Sequence, residues 1–165
     1  MPKKETINVK GTEIILLSHK KDDYISLTDM AKFKNAEATG LVIAHWLSTR
    51  YTVDFLGIWE RMNNPNFNVT EFGNIRNETG TNDFILSSKQ WIEKTGAIGI
   101  IAKPGRYDGG NFANKYIAYT YARRTISATQ QCCNYANTVI EYQRQTQRNR
   151  QKVSVKNLND RRWHL

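Results

Sequence analysis

Apolar residues recur along this chain at two different spacings, and the switch between them divides it into elements. In Thr6-Ile-Asn-Val-Lys-Gly-Thr-Glu-Ile-Ile-Leu-Leu-Ser18, Ile7 and Val9 alternate with polar neighbours and Gly11 interrupts the run. Alternation around a glycine predicts two short strands joined by a turn at Lys10-Gly11. Tyr24-Ile-Ser-Leu27 predicts a third strand. It leads directly into a helix through Met30, Ala31 and Phe33, for which Thr28-Asp29 offers N-cap oxygens.

Helical spacing is strongest from Leu41 to Met62, where Trp46 and Leu47 fall on an inward face and His45, Ser48, Thr49 and Arg50 on a polar one. Phe55, Leu56, Ile58, Trp59 and Met62 continue it, with Thr52 available as a cap. One bent helix, or two meeting at Arg50-Tyr51-Thr52, satisfies the pattern equally. Asn63-Asn-Pro-Asn66 ends it, because proline disfavours a helical residue before it. Phe67 to Asn82 reads as an irregular connection with short strands at most. A further helix is expected from Ser87-Ser88 through Trp91, Ile92 and Thr95 towards Ile101, weakened by Gly96 and Gly99 at about 1 kcal/mol each. The turn-rich Lys103-Pro-Gly-Arg-Tyr-Asp-Gly-Gly-Asn111 predicts a hairpin with Arg106 and Tyr107 at its tip, and Ala113 to Arg124 predicts the next helix. Trp46, Trp59 and Trp91 sit in apolar patterns and are expected in the core, whereas Trp163 is expected outside it.

The expected architecture is therefore α+β, with a compact domain over 1–125 and a basic, amide-rich tail over 126–165. Within that tail a helix is predicted around Tyr135 to Arg148, followed by a frayed end.

Charge sharpens this division. The formal net charge is +9, but residues 1–120 hold 15 Lys+Arg against 13 Asp+Glu, while residues 121–165 hold 9 against Glu141 and Asp160 alone. Such an arm suits a phosphate backbone, through counterion release, or serves simply as a solvated tail. No apolar run reaches the roughly 20 residues that span a bilayer, and the first residues lack the apolar stretch of a secretory signal. A cytoplasmic protein is expected.

Catalysis finds little support. Cys132 and Cys133 are adjacent, a poor geometry for a disulfide. His19, His45 and His164 are scattered, so neither a metal site nor a cofactor is expected. There is no Gly-x-Ser-x-Gly elbow, P-loop or His-Glu-x-x-His. Asp54 and Glu60, six residues apart on a helix, point to different sides. The expected function is not enzymatic.

Several segments together resemble a KilA-N domain. They are Asp23-Tyr-Ile-Ser-Leu-Thr-Asp-Met-Ala31, His45-Trp-Leu47, Thr52-Val-Asp-Phe-Leu-Gly-Ile-Trp-Glu60 and Asn63-Asn-Pro-Asn-Phe67, then Ser88-Lys-Gln-Trp-Ile-Glu93, Thr95-Gly-Ala-Ile-Gly-Ile-Ile101 and Gly105-Arg-Tyr-Asp-Gly-Gly110. The likeness covers roughly residues 5–122 and is nearest to the compact KilA-N proteins of gut bacteria and their phages. It departs at Ala113-Asn-Lys-Tyr-Ile-Ala118, where the family usually shows Ala-His-Lys-Asp-Ile-Ala. It departs again at Tyr121-Ala-Arg-Arg-Thr-Ile-Ser-Ala128, which lacks the family's tryptophan.

The resemblance implies a DNA-binding module related to the APSES domain, winged-helix-like and without catalytic residues, in a transcriptional or phage-regulatory setting. His45, Ser48, Thr49 and Arg50 would face the major groove of double-stranded DNA. Lys103, Arg106 and Tyr107 would form the wing. Arg123 and Arg124 are further DNA-binding candidates. The rival expectation is a protein-binding module of the antirepressor type, with a regulatory protein and not DNA as its partner.

Overall fold

The computed structural model describes residues 3–9, 11–19, 22–105 and 109–125, together with Arg144 and Arg148. The described residues form an α+β domain of five strands and six helices. Strands β1 (Lys3–Val9), β2 (Thr12–His19) and β3 (Asp22–Ser26) form an antiparallel meander. The first turn rests on Gly11, whose φ of 87° lies in the left-handed region and whose N–H donates to Asn8 Oδ1 at 2.9 Å.

Helix α1 (Leu27–Ala31) follows without a loop. Its N-cap is Ser26, whose Oγ accepts from Asp29 N at 3.1 Å, and not the expected Thr28-Asp29. Thr28 Oγ1 instead accepts from Asn111 N at 2.9 Å, and Asp29 accepts from Ile15 N at 3.3 Å and Lys32 Nζ at 2.7 Å. The short helix is thus tied to both halves of the sheet.

Helices α2 (Thr39–Leu47) and α3 (Arg50–Asn63) are separate, meeting at Ser48-Thr49. The cap of α3 is Thr49, which accepts from Thr52 N; Thr52, expected to cap, is wholly buried in the first turn. A helix α4 (Val69–Glu78) occupies the stretch expected to be irregular. Asn68 caps it, and only Phe72 and Ile75 bury their side chains, so packing against α3 supplies what its own polar sequence does not.

Helix α5 (Ser88–Thr95) opens with a reciprocal capping box between Ser87 and Gln90. It ends earlier than expected because Gly96 adopts φ 66° as a left-handed C-cap. Ile100 and Ile101 belong instead to β4 (Ile100–Lys103), which pairs with β5 (Gly110–Asn114) as the predicted hairpin. Helix α6 (Lys115–Thr125) starts two residues later than expected because Ala113 and Asn114 remain paired in β5.

The sheet order is β1-β2-β3-β5-β4, antiparallel throughout. One face, carrying Ile14, Leu16, Ile25, Ile100 and Ala113, shares the main core with the helices. The other carries a smaller strip of Leu17, Tyr24 and Phe112. Trp46 meets Tyr121 edge-on at 4.9 Å, joining α2 to α6, while Trp91 packs with Phe67 and Phe72. Trp59 is half-buried against the same core. Trp163, Cys132, Cys133 and the helix expected within 135–148, apart from Arg144 and Arg148, lie outside the described residues.

Candidate nucleic-acid interface

The residues singled out in the sequence divide by what their side chains do in the fold. Ser48 Oγ donates to Ala44 O at 2.7 Å and accepts from Leu86 N at 2.8 Å, clipping the end of α2 to the segment before α5. Thr49 Oγ1 lies 2.9 Å from Trp46 O and 2.8 Å from Thr52 Oγ1, besides capping α3. Both hydroxyls are engaged inside the protein. His45 and Arg50 are exposed. Arg50 Nε stands 3.9 Å from Asp54, a carboxylate that Arg76 also holds, so this is a loose, half-exposed pair.

Helix α6 brings one further cation, Arg124, to the same side. Arg123 and Arg124 are exposed in its last turn. The Arg124 guanidinium lies over the Tyr51 ring, 3.3 Å from its centroid, just past the elbow between α2 and α3. Stacking uses the guanidinium face and leaves its edge N–H groups free to donate.

Between these elements runs an open groove of about 560 Å³. One wall is α2 with His45, continued by Thr49 at the elbow; the other is built from Lys34 and Asn35 before α2 and from Arg124 and Thr125 at the end of α6. Trp46 lines it as well, and the indole N–H is buried without an acceptor among the described residues. Among the described residues no carboxylate lines this groove. Lys34 had no signal in the sequence: it sits in a polar loop, and only the fold carries it to Arg124. That loop is fixed by Asn35, whose Oδ1 accepts from Glu37 N and Ala38 N at 3.1 and 3.2 Å, while Lys34 N donates to Ala31 O.

Lys103 stands apart. It is exposed at the end of β4 and lines a different depression, with Lys89 and Glu93. Arg106 and Tyr107, expected at the hairpin tip, lie outside the described residues. His45, Thr49 and Arg124 are therefore brought together, with Arg50 beside them, and Lys103 is not.

Asp54 and Glu60 do point to different sides: Asp54 is partly exposed and Glu60 is wholly buried. Among the described residues no group of three or more His, Cys, Asp or Glu could hold a metal ion, and no helix is long and apolar enough to cross a membrane. Burial pushes the Tyr121 phenol well above its ordinary value, opposed in part by the Thr125 hydroxyl. Burial also raises Tyr24, helped by the negative charges of Asp22 and Glu60.

In comparison with known families, the KilA-N domain matches residues 7–145. Comparisons with curated proteins and with solved structures gave no significant match.

Proposed function

The chain belongs to the KilA-N family, generally a family of DNA-binding domains, and on that premise we propose that it binds duplex DNA and carries out no catalysis. The observation that carries this reading is the convergence of His45 and Arg124 on one groove, with Arg50 beside them at the α2–α3 elbow. Arg50 projects from the elbow and has only a loose partner, so it is suited to a bidentate contact with a guanine edge. Lys103, acting with Arg106 and Tyr107 as a wing, contacts the backbone away from the elbow. The basic residues beyond 125 add affinity without sequence preference. The setting is transcriptional or phage regulation in the cytoplasm.

Selection from random duplexes tests the reading. The intact protein should enrich a short motif, and Arg50→Ala should relax one or two positions of it, at about 1–3 kcal/mol of lost discrimination. Recovery of unenriched sequence together with absence of any shifted complex would refute it.

A second reading has its own support. Helix α3 is apolar on two opposite sides: Val53 and Leu56 face the core, while Tyr51, Ile58 and Met62 are exposed on the outside. This favours a protein partner of the regulatory, antirepressor kind. Ile58→Glu should abolish such binding and leave DNA binding intact, whereas loss of DNA binding alone in that variant would speak against it.

A further inference from the structure

The groove along α2 is concave, and this bears on which part of the duplex it can meet. A helix read against base edges must stand proud of its neighbours to enter a groove about 12 Å wide. On its His45 side α2 is instead flanked by the Lys34-Asn35 loop and by the end of α6. Base edges cannot be reached from the floor of such a channel, whereas a strand of backbone can lie in it.

The chemistry of the lining agrees. Lys32 is paired with Asp29, Arg50 and Arg76 with Asp54, and Lys89 with Glu93. By contrast, Lys34 and His45 have no partner among the described residues, and Arg124 has only the face of Tyr51. Asn35 accepts two N–H groups through Oδ1, which leaves its amide hydrogens facing no described acceptor. Glu37, in the same loop, does not line the groove. Among the described residues the channel therefore holds donors and cations with no acid to neutralise them.

We infer that this groove is a phosphodiester cradle, in which Lys34, Asn35, His45 and Arg124 hold one backbone strand of the duplex, with Tyr51 as the residue that positions Arg124. The inference rests on the duplex-binding reading and refines it: His45 and Arg124 supply affinity and register, and sequence discrimination falls to Arg50 at the elbow. Neutral Trp46 and Leu41 in the lining suit the sugar edges between phosphates.

The test is fluorescence anisotropy of the full chain with a labelled duplex across a range of salt, using Lys34→Gln, Arg124→Gln and their double variant. Both positions are exposed, and melting curves verify that the variants fold. Each single change should weaken binding equally for all sequences and reduce the log–log salt slope by about 0.9, one phosphate contact apiece. The motif enriched by selection should stay the same. Tyr51→Leu should lose much of what Arg124→Gln loses, and Tyr51→Phe should restore it, since the stack needs the ring and not the hydroxyl. An unchanged salt slope in the double variant, or an altered motif, overturns the cradle while leaving DNA binding in place.

Titration with inorganic pyrophosphate, followed by amide shifts, separates the two claims. Shifts clustered at residues 34–35, 45 and 124 in a protein that binds no duplex would uphold a phosphate site and refute the DNA reading. No shifts and no duplex binding would overturn both.

Discussion

The carboxylate of Glu60, wholly buried in α3, accepts from the backbone N–H of Gly99 at 2.6 Å and from that of Ile98 at 3.1 Å. Asn64 Nδ2 donates to the same carboxylate at 3.0 Å and bridges to Gly96 O at 2.9 Å. One side chain thus fixes the turn that carries the chain from α5 into β4, and with it the start of the hairpin. Glu60→Ala should leave buried donors unpaired at about 1–3 kcal/mol each, a loss large enough to unfold a marginal domain. Chemical denaturation should show a fall of several kcal/mol, with Glu60→Gln intermediate because its amide nitrogen cannot accept.

Two helical glycines should respond oppositely to alanine. A Cβ at Gly57 in α3 would collide with the Phe72 ring of α4, whereas a Cβ at Gly73 would meet nothing within 4 Å. Gly57→Ala should destabilise by about 1–3 kcal/mol through overpacking. Gly73→Ala should stabilise by up to about 1 kcal/mol, from helix propensity alone. Paired denaturation curves read both.

Ser48 and Thr49 separate structural from contact roles at the elbow. Ser48→Ala removes the clip to Leu86 N, and Thr49→Ala removes the cap of α3. Each should lower stability by about 1 kcal/mol. Neither should change the selected DNA motif or the salt slope. A motif shift in either variant would place that hydroxyl on the DNA.

Alkaline pH should unfold the domain through its buried phenols. The ordinary tyrosine value is 10.0, and both Tyr24 and Tyr121 are raised above it by burial. In the folded state they keep their protons at a pH where the unfolded chain has lost them. Their stabilisation is therefore complete below pH 10 and is lost as pH rises towards the folded values. Absorbance near 295 nm should show these two phenols ionising only as the far-ultraviolet dichroism collapses. Independent ionisation in the folded protein would contradict the burial argument.

The regular elements were largely legible because their residues alternate or recur with the period of the element they form. The hairpin around Gly11, the strand at Tyr24-Ile25 and the helices holding Trp46, Leu56 and Trp91 announced themselves this way. Helix α4 did not, since Asn, Thr, Glu and Gly dominate it and only Phe72 and Ile75 face inward; its stability is tertiary. The expected length of α5 was wrong at Gly96, where glycine is a terminator and not a weak interior residue. In the candidate site, His45 and Arg50 were visible on a polar helix face. Lys34 was not, because its relation to Arg124 spans ninety residues and exists only once α2 and α6 have packed through Trp46 and Tyr121. The hydroxyls of Ser48 and Thr49 looked free in one dimension and are engaged in three.

The central claim is that the elbow side of this domain meets phosphate. Equilibrium titration of the intact protein into a labelled random duplex, repeated between about 50 and 200 mM salt, reads it directly. A straight log–log plot falling with a slope of several units, and shallower by about 2 in the Lys34→Gln, Arg124→Gln double variant, is the predicted result. A flat plot, or no measurable complex at the lowest salt, would contradict it.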